Sequence, residues 1–77
     1  MNKIKHYLFN IKYDKYVLDN IEYIGKELNG GEFRYGGGVV DGVYKIIIPS
    51  SPEEMSYFKL KTDLSKLGII SIDETIM

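Results

Sequence analysis

With 77 residues, the chain has room for one domain and one core. Ten Lys plus Arg against eleven Asp plus Glu give a net charge of −1, without the basic excess on which phosphate binding depends. The absence of Cys excludes disulfides, and with a single His it excludes an ordinary zinc site.

Residues Ile4 to Lys12 alternate as a strand, with Tyr7, Phe9 and Ile11 on one side and His6, Leu8 and Asn10 on the other. The aromatic side reads as the more buried, Leu8 being a partial exception. The same stretch does not read as a signal peptide: His6, Asn10 and Lys12 interrupt its apolar positions and no small-residue cleavage site follows. Asp14 is placed to cap a helix in which Val17, Ile21, Ile24 and Leu28 form one apolar stripe. Lys15/Asp19 and Glu22/Lys26 have i,i+4 spacing on its wet side, and Asn29-Gly30-Gly31 ends it, glycine taking the left-handed conformation there without a steric penalty.

Glu32 to Val40 and Val43 to Pro49 read as the arms of a hairpin, joined through Asp41-Gly42 in a type I′ turn. In that register Val40 opposes Val43, and Gly36-Gly37-Gly38 lies opposite Lys45-Ile46-Ile47. Three glycines in a strand predict a bulge, a break or a close backbone approach. The second arm, β-branched in its latter half and closed by Pro49, reads as a central strand. Ser51-Pro52-Glu53-Glu54 starts a second helix with a capping box and a proline at its first position. Tyr57, Leu60, Leu64 and Leu67 form its predicted stripe, widened by Met55 and Phe58, with Gly68 as the terminator. Ile69, Ile70 and Ile72 form a last strand, and Asp73 to Met77 read as a fraying tail.

The predicted order is β-α-β-β-α-β over a single α+β domain, residues 1–77. This is the ferredoxin-like pattern, whose right-handed crossovers put both helices on one face of a four-stranded antiparallel sheet. If the glycine region were a loop, three strands and two helices would remain. No apolar run approaches the roughly 20 residues of a membrane span, so a soluble cytoplasmic protein is expected.

The glycine-rich segment has neither G-x-G-x-x-G before a helix nor G-K-[ST], so it offers no phosphate cradle. It reads either as a bulged hairpin arm or as a binding surface made by Phe33, Arg34, Tyr35, Gly36, Gly37, Gly38 and Tyr44. His6 is the only histidine and so the only candidate general base, but there is no Cys for it to activate and no serine in a nucleophile elbow. It reads as a surface or edge residue. Glu53 and Glu54 suit the N-terminus of a helix, and no carboxylate pair has the cleft setting of a hydrolase. No enzyme, cofactor or metal is therefore expected. The seven tyrosines are the most informative feature, because tyrosine gives a large contact area with a polar tip at binding hot spots. Filling core and half-buried sheet positions is the alternative use for them.

The stretch Tyr7 to Ile11, YLFNI, resembles the first-strand signature of RNA-recognition-motif domains, which share this element order. The resemblance implies bases stacked on central-strand aromatics, with Tyr44 as a second position. Residues 41–48 depart from that family's basic and glycine-aromatic third-strand pattern.

The expected function is a small non-enzymatic protein-binding module, an inhibitor or adaptor of the anti-defence kind. An AT-rich bacterial, phage or mobile-element genome is suggested by abundant Ile, Lys, Tyr and Asn, whose codons are AT-rich. Its partner would be a host protein or a second copy, the latter forming a homodimer or larger homo-oligomer through a sheet edge. The alternative is a binder of single-stranded nucleic acid or nucleotides on the open sheet face, which requires Tyr7, Phe9 and Tyr44 to be exposed. A small enzyme using His6 ranks last, and no membrane contact is expected.

Overall fold

The structure, a computed structural model, describes residues 4–28 and 34–75, and at 34–37 the backbone only. Its elements are β1 (Lys5–Lys12), α1 (Val17–Glu27), β2 (Arg34–Val40), β3 (Val43–Ser50), α2 (Pro52–Lys61), a 3-10 turn at Leu64–Leu67 and β4 (Ile69–Thr75). The sheet order is β2-β3-β1-β4, and every neighbouring pair is antiparallel. This is an α+β arrangement of two helices and a four-stranded antiparallel sheet, compatible with the ferredoxin-like class. β1 and β2 run the same way with β3 between them, so a crossover must join them, and α1 lies in it.

The period-2 alternation of β1 separates the two faces of the sheet. Tyr7, Phe9 and Ile11 are buried, as are Ile46 and Ile48, which pair with Phe9 and Tyr7. Val17, Ile21, Ile24 and Leu28 of the first helical segment and Met55 and Phe58 of α2 join the same cluster. Phe58 meets Phe9 edge-on, with ring centroids 6.3 Å apart. Each such fully buried side chain contributes about 1.5–3 kcal/mol through removal from water. Among the described residues no helix is long and apolar enough to cross a membrane.

The start of α1 differs from expectation. Tyr16, not Asp14, is the cap residue, and it makes no side-chain cap bond. The Asp14 carboxylate accepts from the Tyr16 N–H at 2.9 Å, closing a local Asx turn that competes with capping. Of the two expected ion pairs, Glu22–Lys26 is present at 3.2 Å. Lys15 instead lies over the Tyr16 ring, 5.1 Å from its centre. The helix stops at Glu27 with Leu28 extended; the predicted terminator, Asn29-Gly30-Gly31, lies outside the described residues.

The hairpin turn is as expected, with Asp41 at φ 52° and Gly42 at φ 74°. Val40 pairs with Val43 and Gly38 with Lys45, but Tyr35 then pairs with Ile46 and Arg34 with Ile47. Gly36 and Gly37 therefore do not lie opposite Ile46 and Ile47. They are absorbed as extra residues in a bulge, which glycine tolerates because it carries no side chain to place. Gly38 has φ 140°, a conformation that L side chains rarely adopt.

Ser51 caps α2 by accepting the Glu54 N–H at 3.2 Å, with Pro52 in the first turn. The predicted long apolar stripe does not exist as one helix face. α2 ends at Lys61, Thr62 is extended, and the Asp63 carboxylate accepts from the Ser65 N–H and hydroxyl to open a separate 3-10 turn ended by Gly68. Leu64 and Leu67 reach the core from that turn. Tyr57 and Leu60, on α2 itself, are 63% and 86% exposed, and the buried pair is Met55 and Phe58. The predicted stripe joined positions from both sides of a break, so its phase was set by the wrong residues.

The tail expectation also fails as far as Thr75. Asp73, Glu74 and Thr75 continue β4 along β1, and the Lys5 ammonium meets the Glu74 carboxylate at 2.9 Å.

Candidate functional site: the second face of the sheet

Residues between those that fill the core form the opposite face, on which no helix packs among the described residues. Leu8 pairs with Ile47 on β3 and Asp73 on β4, while Asn10 pairs with Lys45 and Ser71. Asn10 is 8% exposed, an unusual degree of burial for a polar side chain on an open face. Its carboxamide donates to Ser71 Oγ at 2.8 Å and to Asp73 Oδ2 at 3.4 Å, and its Oδ1 accepts from Lys45 Nζ at 2.8 Å. Only this amide orientation fits, since the reverse would set NH2 against an ammonium with no acceptor. One asparagine thereby laces three strands and fixes a row with a cation at one end and a carboxylate at the other.

Apolar groups border the row. The β4 pairing shifts between Asn10 and Ile11, from Ser71 to Ile69, which leaves Ile70 as the extra residue, 61% exposed. Val40, beside the hairpin turn, is 55% exposed. Together with Asn10, Asp41, Val43, Lys45 and Ser71 they line an open hollow of about 350 Å3. A second hollow, at the start of α1, is lined by two lysines (Lys12, Lys66) and two aspartates (Asp14, Asp19) among other groups. With both signs present, it carries no field that would select a charged ligand.

The residues predicted from sequence as the binding surface are only partly brought together. Phe33 lies outside the described residues. Arg34, Tyr35, Gly36 and Gly37 belong to β2, an edge strand, and Gly38 is exposed next to Lys45. Tyr44 is half-buried, packs against the core and stacks on Tyr13 with ring centres 6.1 Å apart. It therefore belongs to the helix-covered side, while its neighbour Lys45 belongs to the other. His6 is half-buried on an interior strand, paired with Pro49 and Thr75, rather than on an edge. Among the described residues no three His, Asp or Glu come together as a metal site.

The aromatic platform implied by the resemblance to RNA-recognition motifs is on the wrong side for base stacking. Tyr7 and Phe9 are 6% and 0% exposed, and burial raises the pKa of the Tyr7 phenol above its ordinary value. A one-residue change of phase separates a stacking face from a core face, and here the phase assigns the aromatics to the core. The residues that sequence reading passed over are Asn10, Lys45, Ser71 and Asp73. Their signal is present but short: a polar residue on the second face of a β1 pattern, and a lysine inside an otherwise β-branched strand. No family model matches the chain, and neither a curated protein nor a solved structure is significantly similar to it.

Proposed function

We propose that this chain is a small protein-binding module of ferredoxin-like topology that acts without catalytic chemistry of its own and meets its partner on the second face of the sheet. The observation that carries the reading is the ordered polar row Lys45–Asn10–Ser71–Asp73, set among exposed Val40 and Ile70. Protein interfaces combine an apolar centre with hydrogen-bonding groups held in place beforehand, because both rotamer freedom and desolvation then cost less on association. The burial of Tyr7 and Phe9 and the charge of −1 weigh against the nucleic-acid alternative. His6 lacks a nucleophile to serve, which weighs against an enzyme.

The test is retention of protein on immobilised wild type compared with Val40→Lys/Ile70→Lys, a double variant of exposed side chains that should leave the fold intact. Wild type is expected to retain a protein, which includes further copies of itself, that the variant does not. Identical retention by both, or retention only of single-stranded nucleic acid at low salt, would refute the reading.

A further inference from the structure

The polar row is antisymmetric about β1. Its cation, Lys45, stands on β3, and its hydroxyl and carboxylate, Ser71 and Asp73, stand on β4, with Asn10 between them on the middle strand. The apolar border is divided in the same way: Val43 belongs to the β3 side and Ile70 to the β4 side.

A two-fold axis lying between two stacked sheets and nearly parallel to both β1 strands exchanges these sides. It sets Lys45 of one copy against Ser71 and Asp73 of the other, sets Val43 against Ile70, and repeats both contacts by symmetry. The alternative two-fold, across the strands, keeps β3 over β3 and opposes lysine to lysine. Of the two, only the first opposes unlike charges across the row, with Lys12 of β1 meeting its own counterpart at the exposed end of the strand, and it is the aligned sheet packing that natural sandwiches use. On this basis, and resting on the protein-binding reading above, we infer that the partner on this face is a second copy of the chain, stacked sheet to sheet about an axis along β1.

Two further observations favour that occupant. A net charge of −1 imposes little repulsion between copies. Lys45 and Asn10 are already partly removed from water and held by hydrogen bonds, so little side-chain freedom remains to be lost. With strands about 4.8 Å apart and about 25 Å long, the three strands that overlap under this axis, β3, β1 and β4, offer a flat footprint of roughly 350 Å2 per copy, with β2 outside it. That is the size of a weak, transient interface, so dimerisation is expected only at high protein concentration.

The experiment needs no other partner: light scattering of the pure chain across a concentration series, with charge exchange at the row. The mass should rise from 8.9 kDa towards twice that value. Lys45→Asp alone opposes two carboxylates, and Asp73→Lys alone opposes two ammoniums, so each should weaken the dimer at least tenfold. An equimolar mixture of the two variants, or both changes in one chain, restores opposite charges and should restore the dimer. Circular dichroism and melting of each single variant establish that it is folded.

A wild-type dimer whose strength does not respond to the exchange, as in edge-to-edge pairing through β2, overturns the inference. A chain that stays monomeric at high concentration overturns it too. In that case the protein-binding reading still stands if the Val40/Ile70 variant loses a different protein, and falls if it does not.

Discussion

The two faces of this sheet are made by alternate residues of the same strands, yet they are organised differently. On the helix-covered face, Phe9, Ile11, Ile46 and Ile48 are completely buried, and the contacts are apolar and non-directional. On the other face the corresponding positions are Leu8, Asn10, Lys45 and Ile47, held by directional bonds around Asn10. The first face obtains its order from burial against helices. The second, with no helix over it among the described residues, obtains its order from hydrogen bonds, and remains available for contact.

The largest effect that can break this comparison is a pair of truncations one residue apart. Phe9→Ala removes a fully buried ring that touches Phe58, and should lower unfolding free energy by about 3–5 kcal/mol. Leu8→Ala, half-buried on the second face, should cost only about 1 kcal/mol. Urea denaturation reads both. Equal costs would mean that the second face is as thoroughly covered as the first, and would remove the candidate site.

The next effect sharpens the comparison from the polar side. Asn10→Ala deletes the acceptor of Lys45 and the donor of Ser71 while leaving those groups on a partly buried surface. The expected destabilisation is about 1–3 kcal/mol, the range for buried polar groups that lose their partners. A loss below about 0.5 kcal/mol would show that water serves the row equally well, as at ordinary surface positions. The row would then be a solvated patch rather than an ordered contact surface.

How much of this was legible in the sequence follows from the range over which each signal acts. The β1 alternation, the α1 stripe, the Asp41-Gly42 turn and the Ser51 cap are encoded within a few residues, and each appears in the structure. The second helix was misread because Thr62-Asp63-Leu64-Ser65 carries a local stop, an Asp63 side-chain turn, that a run of leucines at helical spacing conceals. The two-residue shift at Gly36 and Gly37 and the extra residue Ile70 are decided by pairing with distant strands, which no local pattern reports. The candidate site belongs to the same class. Asn10, Lys45 and Ser71 are separated by 35 and 61 positions where they bond, and only the strand order makes them neighbours. The tyrosine count drew the sequence reading towards the hairpin, yet Tyr44 proved to serve the core side.

The smallest effect tests whether charge contacts on the helix side contribute to order as they do on the second face. Lys61 at the end of α2 bonds to Glu27 at the end of α1, clamping the two helices across the surface. The hydrogen bond from Lys61 holds the Glu27 carboxyl below its ordinary value of 4.5, and the same bond raises the Lys61 ammonium above 10.5. The depressed carboxyl stabilises the fold above its unfolded value, and that contribution is lost as pH falls below 4.5 and through the folded value. The raised ammonium stabilises below 10.5, and its contribution is lost only as pH rises beyond that value. Between the two the pair should be silent to pH. Glu27→Gln should therefore lower the melting temperature slightly near neutrality, and the deficit should vanish on acidification, when wild type is protonated as well. Because both groups are solvated, salt should shrink the difference further. A deficit that persisted unchanged at about pH 2 would assign the role of Glu27 to packing rather than charge.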